Sequence, residues 1–306
     1  MTLQQLRQVL TIAESNSMNE AAKKLFVSQP NLSATVREVE EELGITVFMR
    51  NNRGITVTAE GEEFLGYAKQ VVEQYHLLEN RYLNVESKKK FSVSMQHYSF
   101  AVKAFVQLAK EVGMDEYEFA VHETKTKEVI DNVKNLKSEI GVLYLSDFNE
   151  KVLRKLFKEC DIEFKELFTC NTYVYLWKKH PLAGQKEITL DDLQEYPCLT
   201  FEQGVNNSFY YAEEMMSTYE YKRVIKADDR ATMLNLMVGL NGFTLCSGII
   251  SEDLNGDDYA AIPLKESEKM HIGYIKHKGT KLSKLGEIYI DAVSYTHLRA
   301  HETGRN

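Results

Sequence analysis

Two helix starts lie close together in residues 18–33, Met18-Asn19-Glu20-Ala21-Ala22-Lys23-Lys24-Leu25-Phe26-Val27-Ser28-Gln29-Pro30-Asn31-Leu32-Ser33. Asn19 can cap a short helix whose inward-facing alanines let a crossing helix approach closely. Ser28 stands at a typical N-cap position, and Pro30 is tolerated in the first turn that follows. Two helices joined by so short a connection predict a helix-turn-helix.

The second of these helices should continue to Gly44, a residue that favours the left-handed conformation found at helix ends. Its apolar positions step by four, three and four residues along one face: Leu32, Val36, Val39 and Leu43. Before the quoted stretch, apolar residues recur at helical spacing from Leu3 to Ala13 and predict a first helix that ends near residue 16. The N-terminus is therefore expected to be a small helical domain.

The opposite face of the third helix is small and polar in its N-terminal half, with Gln29, Pro30, Ser33, Ala34, Arg37 and Glu38. Such side chains can hydrogen-bond to base edges in the major groove, so we predict that this face contacts DNA. The alternative is a helix-turn-helix used only for protein interaction. A formal net charge of -8 disfavours nucleic acid as a partner, so local placement of cations has to supply the affinity.

A hairpin should follow, because residues 47–50 and 55–58 alternate at strand period around Asn51-Asn52-Arg53-Gly54. In this wing, Arg50 and Arg53 can reach a phosphate or a narrow minor groove. The alternative is that they are solvated hairpin charges.

A long helix is predicted from Thr58, its expected cap, and together with a hinge at Lys88-Lys89-Lys90 it accounts for residues 59–90. Its apolar residues alternate spacings of four and three and form a candidate dimerisation seam: Phe64, Ala68, Val71, Tyr75, Leu78, Tyr82 and Val85. Because a helix with one narrow apolar seam is poorly stable alone, we expect it to pair with a second copy.

In sequence and spacing these blocks resemble the LysR family of bacterial transcriptional regulators. The resemblance covers residues 18–25, 28–33, 39–44, 47–50 and 53–61. It implies a winged helix-turn-helix in 1–58, a linker and dimerisation helix in 59–90, and double-stranded promoter DNA as partner. The DNA-contacting residues are then expected to be Ser28, Gln29, Pro30, Asn31, Ser33, Arg37, Arg50 and Arg53, while Ala34 replaces a longer polar residue frequent in the family.

Beyond residue 90, short apolar runs alternate with amphipathic helical stretches, which is typical of alpha/beta units on a mostly parallel sheet. The resemblance extends over residues 91–293 to a two-lobed, periplasmic-binding-protein-like effector domain. Lobe I is expected in 91–162 and 268–293, and lobe II in 163–267, with crossings near 161–164 and 264–270. A helix is also expected over Phe209–Tyr219.

A cleft between two such lobes collects helix N-termini, which favour anionic or strongly polar ligands. We therefore expect a small-molecule effector, with carboxylates or amino acids as the leading candidates. The residues expected to line the cleft are Gln96, His97, Ser99, Thr124, Lys125, Phe201, Glu202, Cys246 and Ser247. Ser99 and Thr124 are equally good helix caps.

Other classes of protein find little support in the sequence. No apolar run could span a membrane, so we expect a cytoplasmic protein, and four widely spaced cysteines suit reduced thiols. No catalytic motif, cofactor signature or metal-ligand cluster is recognised, and we expect no enzymatic activity. His297 and His301 have the spacing of two ligands on a helix, but we interpret residues 294–306 as a non-native tail.

The sequence thus predicts a homodimer or homotetramer that regulates transcription, with RNA polymerase as a further candidate partner. An architectural DNA-binding protein without a ligand is the first alternative. A solute-binding or enzymatic domain with a vestigial helix-turn-helix is the second.

Overall fold

The computed structural model describes residues 1–15, 17–51, 54–82, 88–113, 116–206 and 208–303. The chain forms two compact units, Met1–Ser87 and Lys88–Asn306. Within the described part of the chain, none of the helices has the length and apolar character needed to span a bilayer.

Three helices form the body of the first unit: α1 (Leu3–Ala13), α2 (Met18–Lys24) and α3 (Gln29–Leu43). Ser28 caps α3 by accepting a hydrogen bond from the Asn31 amide, and Gly44 ends it with φ 69°, as predicted. The cap of α2 is Ser17, not Asn19, because only the Ser17 hydroxyl is placed to accept from the Glu20 amide.

The wing and the long helix complete the first unit. Strands β1 (Phe48–Asn51) and β2 (Gly54–Val57) pair antiparallel, as expected for the hairpin. Helix α4 (Ala59–Tyr82) follows, and the Thr58 hydroxyl accepts a hydrogen bond from the Gly61 amide at 2.8 Å. The predicted cap is therefore confirmed.

The core of this unit joins the helix-turn-helix to the inner face of α4. Its buried members include Ile12, Ala21, Leu32, Val36 and Val39. A second cluster packs Leu6 of α1 against Ala68 and Val72 of α4. Leu43 was expected in the core but is 37% exposed, because it lies at the end of α3 beyond the contact with α1 and α2.

The second unit begins with a five-stranded sheet in the order β4-β3-β5-β12-β6. Its elements are β3 (Lys89–Met95), α5 (Ser99–Val112), β4 (Tyr117–Glu123), α6 (Thr126–Lys134), β5 (Ile140–Leu145), α7 (Glu150–Glu159), β6 (Ile162–Asn171), β12 (Lys269–His277) and α10 (Lys284–Thr303). Strand β3 pairs parallel with β4 and β5, whereas β12 is antiparallel to β5 and β6. We call this part lobe I.

Lobe II is built from two smaller sheets, β10-β7-β11 and β8-β9. Its elements are β7 (Tyr173–Trp177), β8 (Cys198–Phe201), β9 (Val224–Ala227), α8 (Arg230–Leu240), β10 (Thr244–Cys246), α9 (Glu252–Asn255) and β11 (Tyr259–Pro263). Asp229 caps α8 by accepting from the Thr232 amide.

Three expectations for the second unit were wrong. The chain does not cross between lobes near 161–164, because β6 pairs with β12 as far as Asn171 and stays in the lobe I sheet. Residues 209–219 form only a short 3-10 turn, Phe209–Tyr211, and then an irregular segment. The last helix continues to Thr303, into residues 294–306, which were interpreted as a tail and not as part of the fold.

The irregular segment is held by tertiary hydrogen bonds instead of helical ones. The Thr126 hydroxyl donates to the Tyr211 carbonyl at 2.8 Å, and the Tyr144 hydroxyl donates to the Ala212 carbonyl at 3.0 Å. In a helix, these two carbonyl groups would accept hydrogen bonds from backbone amides of the same helix, but here they accept from lobe I side chains. We refer to residues 208–216 as the strap, since they run from lobe II onto lobe I.

Candidate functional site

The N-terminal half of α3 presents a continuous polar surface. Pro30, Asn31 and Arg37 are exposed, while Gln29 and Ser33 are half-buried and connected by a 3.0 Å hydrogen bond from Gln29 Nε2 to Ser33 Oγ. That bond fixes the orientation of two of the predicted DNA-contacting side chains, one turn apart. The four polar side chains, Gln29, Asn31, Ser33 and Arg37, can present donors and acceptors to base edges.

Sequence reasoning missed an exposed aromatic residue beside this surface. Phe26, in the connection between α2 and α3, is 96% exposed and has φ 54°, a conformation that is uncommon for a bulky residue. The amide of Val27 donates to the Ala22 carbonyl at 3.0 Å, which fixes the turn around it. Nothing in the hydrophobic pattern distinguished Phe26 from a core residue.

The wing contains the two arginines that were predicted to contact DNA, Arg50 and Arg53. The backbone of Arg50 lies in β1, but its side chain and the whole of Arg53 fall outside the described residues.

The outer face of α4 carries an exposed apolar stripe. Four large side chains on one side of the helix are exposed to solvent. They are Tyr67 (59% exposed), Val71 (51%), Tyr75 (39%) and Leu78 (56%). Of the predicted seam, Phe64 and Ala68 instead face α1 of the same chain. The side chain of Tyr82 and all of Val85 lie outside the described residues.

In the second unit, a cavity of about 80 Å³ is lined by both lobes and by the strap. Five of the nine predicted residues line it: His97, Ser99, Phe201, Cys246 and Ser247. The other lining residues are Tyr98, Phe100, Tyr175, Glu213, Glu214, Arg230, Met233, Leu234, Thr244, Leu245, Ile249, Ile250, Asn255 and Met270.

The remaining four predicted residues are engaged elsewhere. Gln96 is buried and donates through Nε2 to the Thr126 hydroxyl at 2.6 Å. The Thr124 hydroxyl bonds to Glu128, Lys125 pairs with Asp228 at 3.3 Å, and Glu202 lies 3.9 Å from Lys226. None of these four residues lines the cavity.

Two adjacent carboxyl groups of the strap face the cavity, and the sequence did not single them out. Glu213 accepts from both the amide and Nδ1 of His97, at 2.9 and 2.8 Å, and from Gln203 Nε2 at 2.9 Å. Glu214 accepts from the Phe201 amide at 2.8 Å. Burial, reinforced by the charge of Glu213, raises the pKa of Glu214 to about 8, so this carboxyl is largely protonated near neutral pH.

Polar contacts connect the lobes around the cavity. Arg230 of lobe II pairs with Glu123 of lobe I, and Gln203 Oε1 accepts from the Thr126 amide at 3.1 Å. The ring of His97 stacks on that of Phe201 with centroids 3.6 Å apart and an interplanar angle of 6°. Both lobes therefore contact each other directly through charged, polar and aromatic groups.

All four cysteines are free thiols in the structure. Burial raises the pKa of the Cys170 thiol to about 12, which suppresses the reactive thiolate. Among the described residues, no group of three or more His, Cys, Asp and Glu side chains could hold a metal ion.

Comparison with known proteins identifies both units. The family profile described as "Bacterial regulatory helix-turn-helix protein, lysR family" matches residues 3–62. The profile described as "LysR substrate binding domain" matches residues 96–294. The chain belongs to the LysR family.

This LysR-type regulator is 25% identical to the HTH-type transcriptional regulator CysL of Bacillus subtilis over 297 residues, covering 93% of this chain and 94% of CysL. Among solved structures, it is similar to a full-length OxyR variant from Pseudomonas aeruginosa, with TM-score 0.69, 19% identity and coverage of 96% and 94% of the two chains. It is also similar to the LysR family regulator CbnR, with TM-score 0.59, 17% identity and coverage of 97% and 99%. At these identities the structural likeness shows the fold alone.

The predicted fold class is therefore confirmed: a helix-turn-helix domain precedes a substrate-binding domain of mixed helix and sheet. The LysR-type regulator is a DNA-binding transcriptional regulator with an effector-binding domain.

Proposed function

We propose that this regulator contacts promoter DNA through the N-terminal half of α3, dimerises through α4, and alters its DNA binding when a small molecule occupies the cleft. The observation that carries the DNA contact is the polar surface of α3, whose opposite face is buried in the core. A recognition helix needs this combination of an immobile inner face and hydrogen-bonding groups outside.

The DNA contact is tested by comparing cognate and random duplexes. Ser33→Ala should cost about 1 to 3 kcal/mol at the cognate site and relax one base position, because a base contact is lost. Thr35→Ala, on the same helix but outside the polar face proposed to contact bases, is the matched control. Equal losses on both kinds of duplex would contradict base recognition by this face.

The wing remains a proposal on sequence grounds. Arg53→Ala should weaken binding to every duplex and reduce the slope of log affinity against log salt by about one, as expected when one phosphate contact is lost. An unchanged slope would show that Arg53 is a solvated charge.

The dimer proposal rests on the exposed stripe of α4. Exposure of four large side chains on one face is energetically unfavourable, because apolar surface remains in contact with water. Pairing of two copies along this face would bury that surface. Leu78→Glu should give monomers with weaker promoter binding, whereas Glu73→Lys on the opposite face should leave the dimer intact. A dimeric L78E protein in light scattering would rule the stripe out; the same measurement distinguishes a homodimer from a homotetramer.

The effector site is proposed in the cavity between the lobes. A ligand there would touch both lobes and stabilise their closed arrangement by its differential affinity. A bound compound should raise the melting temperature and change the DNA footprint, and Ser99→Ala should reduce both effects. A footprint that no bound compound alters would instead favour an architectural DNA-binding role.

The remaining assignments follow from the DNA-binding role. We place the protein in the cytoplasm, where promoter DNA is found in bacteria, and assign it no catalytic activity, in keeping with relatives that are transcriptional regulators. RNA polymerase is a candidate partner at the promoter.

A further inference from the structure

Two buried hydroxyl groups in the wall of the cleft cavity have no hydrogen-bond partner among the described residues, Tyr175 OH and Thr244 Oγ1. The two residues are direct neighbours across the β7–β10 pairing, so their side chains lie on the same face of that sheet. The Asn255 side chain is close enough to favour ionised Tyr175, but the two groups do not reach hydrogen-bond geometry. Since buried hydroxyl groups are nearly always satisfied, this pair points to a ligand that supplies the partner.

Both basic side chains that line the cavity among the described residues already have a glutamate partner. Arg230 is bound to Glu123, and His97 is bound to Glu213. No other lining residue in the described part of the chain is a Lys or Arg that could neutralise an anion, and Glu214 adds a second carboxyl group beside Glu213. A carboxylate ligand would lose its hydration without gaining a counter-charge, which is strongly unfavourable in a buried site.

A cationic ligand meets a different obstacle. Glu213 already accepts three hydrogen bonds, and Glu214 is largely protonated near neutral pH because of its burial. An ammonium group would have to displace His97 or ionise Glu214.

The size and the lining of the cavity limit the ligand further. Its volume of about 80 Å³ is roughly half that of an engineered cavity of about 150 Å³ that accommodates benzene. Most of its surface is apolar, with contributions from Phe100, Phe201, Met233, Leu245, Ile249 and Met270. A short apolar body with one polar end fits this surface.

We infer that the effector is a compact uncharged molecule, such as a small alcohol or amide, whose polar group hydrogen-bonds to Thr244 and Tyr175. The inference rests on the proposed function of the cleft and specifies the ligand class for that same site. It departs from the carboxylate or amino acid expected from the sequence, because the helix N-termini of the cleft are accompanied by two buried carboxyl groups.

Four short probes test the ligand class on the full-length protein: ethanol, acetamide, acetate and ethylammonium. Thermal shift and calorimetry at neutral pH should show binding of the neutral probes, with acetate and ethylammonium at least about tenfold weaker because an unpaired buried charge is costly. If either charged probe binds more tightly than both neutral ones, the ligand class is wrong although the cleft is still a ligand site. If none of the four binds, the inference is also overturned.

Thr244→Val tests the site itself, since valine keeps the shape and removes the hydroxyl. We expect affinity for the better neutral probe to fall by about 2- to 10-fold, the range for loss of one hydrogen bond. The melting temperature of the ligand-free variant should rise, because an unpartnered buried hydroxyl is removed. Thr200→Val, on the adjacent strand β8 and outside the cavity lining, should change neither quantity. A T244V protein that binds the probe as the parent does would place the ligand elsewhere.

A footprint experiment separates this inference from the proposed function. If a neutral probe binds with the expected T244V effect but leaves the promoter footprint unchanged, the ligand class stands and control of DNA binding by the cleft is contradicted.

Discussion

The substitution Glu214→Gln should change how the stability of this protein depends on pH. Glu214 lies in the strap, lines the cleft cavity and accepts a hydrogen bond from the Phe201 amide. Glutamine is nearly isosteric, keeps a carbonyl oxygen to accept that bond, and cannot ionise. The substitution therefore removes the titration while preserving the packing.

The expected effect follows from the raised pKa. In the folded protein burial holds the pKa of Glu214 near 8, whereas an unfolded chain would restore the ordinary value of 4.5. The stabilising contribution of the protonated group is thus fully present below pH 4.5 and is lost as pH rises to about 8. At 1.36 kcal/mol per pKa unit, this difference in pKa between the folded and unfolded states changes the free energy of unfolding by on the order of 5 kcal/mol. Relaxation around the Glu213–Glu214 pair should make the measured value smaller.

Urea unfolding of parent and E214Q proteins between pH 5 and 9 measures this effect. We expect similar stabilities at pH 5 and an advantage of a few kcal/mol for E214Q at pH 9, since other titrating groups cancel in the difference. Glu187→Gln, at an exposed position, should give a curve parallel to that of the parent. Parallel curves for E214Q and the parent would refute the assignment of a neutral Glu214.

Other predictions concern the two units separately. Gly61→Ala should destabilise the N-terminal unit by about 1 to 3 kcal/mol, because the new Cβ would lie 2.4 Å from the Val47 carbonyl oxygen. Gly239→Ala, where no atom lies within 4 Å of the new Cβ, should stabilise α8 by up to about 1 kcal/mol; denaturation of both variants checks the contrast. Phe26→Gly should raise stability slightly by relieving the φ of 54°, and a loss in the same assay would show that the ring packs on the chain. Native Cys170 should resist alkylation at pH 8 until the protein unfolds, because burial raises its pKa to about 12.

The parts predicted correctly from the sequence depend on local interactions. The ends of α3 are set by the Ser28 cap and by the left-handed Gly44, both of which are properties of a few adjacent residues. Strands β3 and β5 have short apolar runs because they lie inside the lobe I sheet, and that pattern is also local.

The parts that were missed depend on tertiary contacts. Helix α4 has two apolar faces, and spacing alone could not show that Ala68 packs on α1 while Tyr67 is exposed. The burial of Glu213 and Glu214 has no sequence signal either, since adjacent glutamates are usually found on a solvated surface. The hydrogen bonds from His97 and Phe201, which satisfy the two carboxyl groups in the buried site, join residues far apart in the sequence.

The attachment of the strap affects how ligand preference can evolve. Lobe I holds it through the main-chain carbonyls of Tyr211 and Ala212, groups that every residue type possesses. Substitutions in the strap can therefore alter the cavity wall while these two attachments persist. Related regulators could acquire new signals by exchanging a few strap side chains, with the sheets and the DNA-binding helix left unaltered.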